Sequence, residues 1–344
     1  MNDRTSTEVL ATDEPRTLGD AARRASERLL AGDVVALPTE TVYGLAANAL
    51  DAEAVAKVFA VKERPAFDPL IVHVRNLDAV REIADVPSEI EDTVIKLANA
   101  FWPGPLTLLL PKKPVVPDLV TSGLPTVAMR VPAHPVFRRV LKECRVPLAA
   151  PSANRFGRIS PTTAAAVEKE LGGRIPLILD GGACAEGLES TILRITRPAG
   201  TPKPVLEVVR SGPITREMLK AFGVVKKASS DASPDAPGQL ASHYAPATPV
   251  RLLEPGETFE PQSGRRYGLL SLDGQPRNLN LDDFSAVAVL SPGSGKLSEA
   301  AIRLFAMLRQ LDEAGVDEII AEPVAGHGLG TAIMDRLRRA AGRG

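Results

Sequence analysis

Eight short apolar runs, at residues 34–37, 70–74, 106–110, 126–131, 148–150, 175–179, 191–195 and 205–209, set what this chain can fold into. Each has the length of a strand and is too short for a helix. Helical periodicity appears between only some of them. Residues 18–30 place Leu18, Ala22, Ala25 and Leu29 on one face, with Gly32 as the stop. Residues 52–62 align Val55, Val58, Phe59 and Lys62. Ser160-Pro161 offers a helix start, Ser capping and Pro in the first turn. Strands and helices do not alternate strictly, so the expected class is α/β, a twisted mixed sheet with helices packed on it. The first dozen residues read as frayed.

The pattern changes after Gly212-Pro213, where one more short helix fits. Residues 226–249 are rich in Ser, Ala, Asp and Pro without periodicity, as in a linker. Beyond them a smaller α/β unit follows, with strands at 267–272, 286–290 and 318–321 and helices at 297–313 and 331–341. The expected organisation is a catalytic domain at 14–216, a linker at 217–249 and a small C-terminal domain at 250–344. A length of 344 residues accommodates two such domains.

The net charge is −1, so a polyanion has to be held by a local cluster of cations, not by the surface as a whole. Two runs offer such chemistry. Lys62-Glu63-Arg64-Pro65 puts two cations where a proline stops a helix, and Pro151-Ser152-Ala153-Asn154 puts a hydroxyl and an amide on the loop after a buried strand. Taken singly, each is ordinary: cations suit a helix C-terminus, and Ser and Asn are common turn formers. Pro38-Thr39-Glu40-Thr41-Val42-Tyr43-Gly44 also follows a strand, a position that commonly lines a cleft. His73 sits among aliphatic strand residues, where a satisfied core histidine is the commoner outcome. Arg130 lies in a strand with Thr126 and Ala128 on its face and Val127 and Met129 on the other. It needs an anionic partner, either a structural Asp or Glu or a substrate carboxylate.

Two glycine-rich segments read as turns before helices. Ser291-Pro292-Gly293-Ser294-Gly295-Lys296-Leu297 lacks the spacing of a phosphate-binding loop, having Leu290 and Leu297 where Gly and Ser or Thr are required. Gly326-His327-Gly328-Leu329-Gly330 is equally unspecific. Cys144 and Cys184 match no metal or redox spacing, which fits a reduced, cytoplasmic setting. The polar N-terminus is unlike a signal peptide, and no apolar run is long enough for a membrane span.

The stretches PTETVYGLAANAL, VKERPAFDPLIVHV, FWPGPLTLLL, TVAMRVPAHP, PSANRFGRISPT, ESTILRI and VVRSGPIT occur in this order. Together they resemble the YrdC-like family of threonylcarbamoyl-AMP synthases, over residues 18–216. PGQLASHYAPATP resembles the linker of the long members, and the remainder their Rossmann-like C-terminal domain. The resemblance implies an L-threonylcarbamoyladenylate synthase, a nucleotidyltransferase. It would join L-threonine, bicarbonate and ATP into threonylcarbamoyl-AMP and pyrophosphate, with Mg2+ accompanying ATP. The product would pass to the tRNA threonylcarbamoyl-transfer machinery. Weak binding of double-stranded RNA or tRNA belongs to the same expectation, and membrane association does not.

The resemblance also assigns roles. Lys62, Arg64, Ser152 and Asn154 would be catalytic. Arg64, Asp68, Thr126, Ser152, Asn154, Ser160, Arg210 and Tyr244 would bind ATP, Tyr244 by folding back from the linker. Thr41, His73, Arg130, Ala150 and Ser190 would form the threonine pocket. No protein ligand to the metal is implied. The chain departs from the family pattern at Asp68, where Asn is frequent, at Phe156, and at Gln239-Leu240-Ala241-Ser242, where a basic run is usual. A carboxylate accepts hydrogen bonds and does not donate them as an amide does. An RNA-binding module is the first alternative, opposed by the near-neutral charge and the lack of interleaved aromatics. A carbamoyl-transfer domain of a hydrogenase-maturation protein is the second. It predicts acylphosphatase and zinc-finger segments that the sequence does not contain.

Overall fold

The computed structural model describes residues 6–228 and 244–342, in two compact units. The first comprises the described residues within Met1–Phe156, Pro161–Cys184 and Glu189–Gln239; the second takes Gly157–Ser160, Ala185–Leu188 and those within Leu240–Gly344. Among the described residues no helix is long and apolar enough to cross a membrane.

The first unit is built on an eleven-stranded sheet. Its strands are β1 (Glu8–Ala11), β2 (Val35–Leu37), β3 (Gly44–Asn48), β4 (Ile71–His73), β5 (Leu106–Pro111), β6 (Thr126–Arg130), β7 (Leu148–Ala149), β8 (Leu177–Asp180), β9 (Thr191–Thr196), β10 (Val205–Arg210) and β11 (Val224–Lys227). The spatial order is β1-β8-β2-β3-β7-β4-β6-β5-β9-β10-β11. Parallel pairs such as β4 with β6 occur beside antiparallel pairs such as β5 with β6, so the sheet is mixed as expected.

Because side chains alternate across a strand, the inner strands can serve a core on each face. Ala47, Val72, Leu108, Met129 and Leu193 face the larger one, against Val55 and Val58 of helix Ala52–Lys62 and Val94 and Leu97 of helix Ser88–Phe101. Val35, Leu37, Leu177 and Leu179 face the other way, against helices Pro15–Leu30 and Pro135–Cys144. At the centre of that second face, Ile71, Leu109, Ala128 and Ile192 form a small separate apolar cluster.

Several local expectations change. Residues 8–11 are an edge strand, not a frayed end: β1 pairs in parallel with β8, and Thr7 Oγ1 donates to the Ile175 carbonyl at 2.6 Å. The strand is mostly exposed, so it leaves little apolar signal. No helix begins at Ser160-Pro161. The Pro161 and Thr162 carbonyls accept from the Tyr43 and Cys184 amides, and the helix is Ala164–Leu171, capped by Thr163. Helix Arg216–Leu219 and strand β11 carry the first unit past residue 216, where the linker was expected to begin. Residues 229–243 of that linker lie outside the described residues.

In the second unit β12 (Val250–Leu252), β13 (Tyr267–Ser271), β14 (Ala286–Val289) and β15 (Glu318–Ala321) form an all-parallel sheet in the order β12-β15-β13-β14. Helices Leu297–Glu313 and Leu329–Ala340 complete a small Rossmann-like unit. Ser291 Oγ is used locally, donating to Glu299 at 2.6 Å and accepting from the Lys296 amide at 2.8 Å, so the Ser291–Leu297 segment is a turn before a helix.

Gly212 packs onto the chain entering β9. A Cβ there would stand 2.4 Å from the Glu189 carbonyl oxygen and 2.6 Å from the Thr191 nitrogen. Gly212→Ala should therefore cost about 1–3 kcal/mol, as overpacking against rigid backbone does. Urea denaturation measures this; an unchanged midpoint would refute the contact.

Candidate active site

The face carrying Ile71, Leu109, Ala128 and Ile192 also presents the polar residues found two positions away along the same strands. His73 on β4 and Arg130 on β6 are register partners. Arg130 Nε donates to His73 Nε2 at 2.9 Å, so that nitrogen carries no proton. Burial, and then the charge of Arg130, hold the His73 pKa well below the usual histidine range. The imidazole also lies 4.8 Å from the Phe137 ring. Burial lowers the Arg130 pKa as well, against the opposing charge of Glu40.

Glu40 comes from the loop between β2 and β3. Its Oε1 stands 3.3 Å from Arg130 Nη1, and its Oε2 accepts the Ala133 amide at 3.0 Å. Thr39 Oγ1 fixes this loop through Thr41 Oγ1 at 2.8 Å and the Val42 carbonyl at 2.6 Å. Ser190, just before β9, shares a 2.8 Å hydrogen bond with Thr107 on β5 and accepts from Arg210 Nη2 at 3.0 Å. Arg210 Nε donates to the Ser190 carbonyl at 3.1 Å. Ala150 is held against β4 by its amide bond to the Ile71 carbonyl.

The cation end is organised by the close of helix Ala52–Lys62. Glu63 takes a left-handed conformation at φ 54°, and the Arg64 amide bonds back to the Phe59 carbonyl. Lys62 is buried, and its amine donates to the carbonyls of Ser152, at 2.5 Å, and Asn154. The Phe156 amide returns a bond to the Lys62 carbonyl. Burial, then Arg64, push the Lys62 pKa well below the usual lysine value. Arg64 donates from Nε to the Asp68 carbonyl and from Nη2 to the Pro69 carbonyl, and its Nη2 lies 2.8 Å from Asp68 Oδ2. Burial raises the Asp68 pKa against the opposing charges of Arg64, Lys62 and Arg210. Three basic residues thus gather on one buried carboxylate, the balance an anion site requires.

Of the residues expected from sequence, Lys62, Arg64, Asp68, Ser152, Asn154 and Arg210 fall in this cation group. Thr41, His73, Arg130, Ala150 and Ser190 fall around the sheet face, and Thr126 opens β6 on that face. Arg210 links the two groups, touching Ser190 and sensing Asp68. Lys62 contacts backbone, and the Asn154 amide donates to the Arg155 carbonyl at 2.7 Å. Ser160 and Tyr244 belong to the second unit. There Tyr244 is buried, stacked on Phe305 at 5.6 Å with the Arg336 guanidinium 5.1 Å from its ring. Glu40 and Thr107 were not singled out from sequence. Glu40 had a signal, an acid in a loop after a buried strand, and it is the acidic partner that Arg130 required. Among the described residues no group of three or more His, Cys, Asp or Glu is placed to hold a metal.

Residues 27–212 match the Sua5/YciO/YrdC family model, described as telomere recombination. Residues 214–342 match a model described as the threonylcarbamoyl-AMP synthase C-terminal domain. The chain is 40% identical to the threonylcarbamoyl-AMP synthase of Pyrococcus abyssi, covering 90% of this chain and 91% of that one. It is also 40% identical to that of Bacillus subtilis, covering 97% and 96%. The crystal structure of P. abyssi Sua5 complexed with L-threonine superposes with a TM-score of 0.83 at 36% identity, covering 98% of each chain.

The depressed His73 pKa has a consequence for stability. The unfolded chain protonates this histidine near pH 6.5, and the folded chain only well below that. Its contribution is therefore present above that value and is lost as pH falls from there toward the folded pKa. His73→Gln keeps an acceptor for Arg130 and removes this linkage. Between pH 6.5 and about 5, the wild type should lose up to about 1.4 kcal/mol per pH unit more than the variant. Urea titrations across that range measure the difference, and parallel profiles would refute it.

Proposed function

The chain belongs to the Sua5/YciO/YrdC family and carries the threonylcarbamoyl-AMP synthase C-terminal domain, and on that premise we propose that its site makes threonylcarbamoyl-AMP from L-threonine, bicarbonate and ATP. The observation that carries this reading is that Arg210 joins a cation cluster to the sheet face that also holds the buried Glu40–Arg130 pair. The first suits a triphosphate and the second an amino acid.

The ammonium of threonine gives up a proton to solvent, and the resulting amine bonds to the carbon of bicarbonate, releasing water and leaving a carbamate. A carbamate oxygen then attacks the α-phosphorus of ATP, and the bond to pyrophosphate breaks. Charge develops on phosphate oxygens, so fixed cations and alignment contribute most. Arg64 and Arg210 serve the phosphates. Lys62 acts through the loop it ties down, setting the positions of Ser152 and Asn154. Arg130 takes the threonine carboxylate, while Thr41, Ser190 and neutral His73 read its remaining polar groups, with Ala150 against them.

The triphosphate implies magnesium, and Asp68 fits it. Asp68 is fully buried, and its Oδ1 makes no hydrogen bond among the described residues. Magnesium prefers such oxygen donors. Asp68 and phosphate oxygens would hold the ion, which would neutralise phosphate charge. The product's destination is the threonylcarbamoyladenosine modification of tRNA next to the anticodon, through a downstream transfer enzyme in the cytoplasm.

Protein incubated with ATP, magnesium, bicarbonate and labelled threonine should release pyrophosphate only when threonine is present. Release that ignores threonine would sink the reading. Arg64→Ala should lower that rate about tenfold or more, the scale of a lost transition-state charge contact. Full activity in that variant would remove Arg64 from the phosphate site.

A further inference from the structure

Glu40 is a buried charge to which the reaction described above gives no task. Only 7% of it is exposed, and Arg130 opposite it is 3% exposed. Each is anchored through one atom and presents another. Glu40 Oε2 is held by the Ala133 amide and Arg130 Nε by His73. The facing atoms, Oε1 and Nη1, lie 3.3 Å apart, yet neither makes a hydrogen bond among the described residues. Leaving buried polar atoms unbonded is costly, and a loosely made buried ion pair recovers little of its desolvation cost. The pair is therefore poorly explained as a device for stability. Cys184 senses both charges, but burial pushes its thiol up to about 12, so it stays neutral and supplies no competing anion.

A negative and a positive group side by side are complementary to a free α-amino acid, whose ammonium and carboxylate flank a single carbon. Resting on the reading of this pocket as the threonine site, we propose that Glu40 and Arg130 form a zwitterion clamp, in which Glu40 receives the α-ammonium and Arg130 the α-carboxylate. Glu40 then decides specificity for a free amine. The clamp also separates substrate from intermediate. Carboxylation replaces the ammonium with an anionic carbamate, which Glu40 repels.

The test is calorimetric titration of the full chain with L-threonine and with β-hydroxybutyrate, which keeps threonine's carboxylate and hydroxyl and lacks its amine. The wild type should prefer threonine. Glu40→Gln should weaken threonine about tenfold or more while leaving β-hydroxybutyrate unchanged or tighter, because Arg130 loses its competing anion. Glu40→Asp, which keeps the charge, should restore part of the preference. Equal weakening of both ligands in Glu40→Gln would assign Glu40 a structural role and overturn the clamp, as would undiminished threonine affinity. Failure of threonine to bind the wild type would instead overturn the pocket assignment, and the clamp with it.

Discussion

A lysine amine buried at the end of a helix and bonded to two loop carbonyls is the contact on which the site depends. Lys62 joins helix Ala52–Lys62 to the Ser152–Asn154 loop, and the Phe156 amide closes the connection from the other side. Without it only the Phe156 amide would tie the loop to the helix end, and the hydroxyl and amide at 152 and 154 would be held less firmly against the cations at 62 and 64. Burial makes this amine costly to keep charged. Two carbonyl acceptors and the nearby carboxylate of Asp68 offset that cost. The two polar runs most prominent in the sequence are thus two halves of one built element.

The same economy governs the rest of the face. Each buried cation has a carboxylate near it: Arg64 has Asp68, and Arg130 has Glu40. The arrangement keeps these cations tolerable in a low-dielectric environment, where an isolated charge would be expelled or neutralised. It also means that binding is an exchange of partners. An arriving phosphate or carboxylate competes with a resident acid, and the balance is tuned by where that acid sits. At Asp68 that acid is fully buried and stands 2.8 Å from Arg64, so the competition there is close.

Much of this was readable from residue order, and the reasons differ by residue. The alternation in 126–131 put Thr126, Ala128 and Arg130 on one face, and the sheet uses that face for the site. Most strands between 34 and 209 were legible as short apolar runs, β3 excepted, and helix Leu297–Glu313 because its stripe is long and regular. What periodicity cannot express was missed. Strand β1 is held by backbone pairing to β8 and buries too little to show a pattern. The Ser160-Pro161 signal for a helix start was overridden because neighbouring carbonyls are taken by Tyr43 and Cys184, contacts distant in sequence. The partner of Arg130 was foreseeable as an acid but not as Glu40, since only register and loop closure bring that residue across. The charge of Lys62 is visible in a sequence, whereas the backbone carbonyls its amine takes are not.

The chemistry explains why the site looks as it does. His73 and Cys184 are titratable side chains beside Arg130. Arg130 donates to His73 and burial disfavours its charge, while burial keeps the Cys184 thiol protonated. Neither is poised to exchange a proton near neutrality, so neither suits general acid–base work. Arginines held by carboxylates and carbonyls keep their charge and their geometry instead. A reaction in which an anion attacks phosphorus and another anion leaves requires that much of its protein, and a sheet face with alternating apolar and charged positions supplies it.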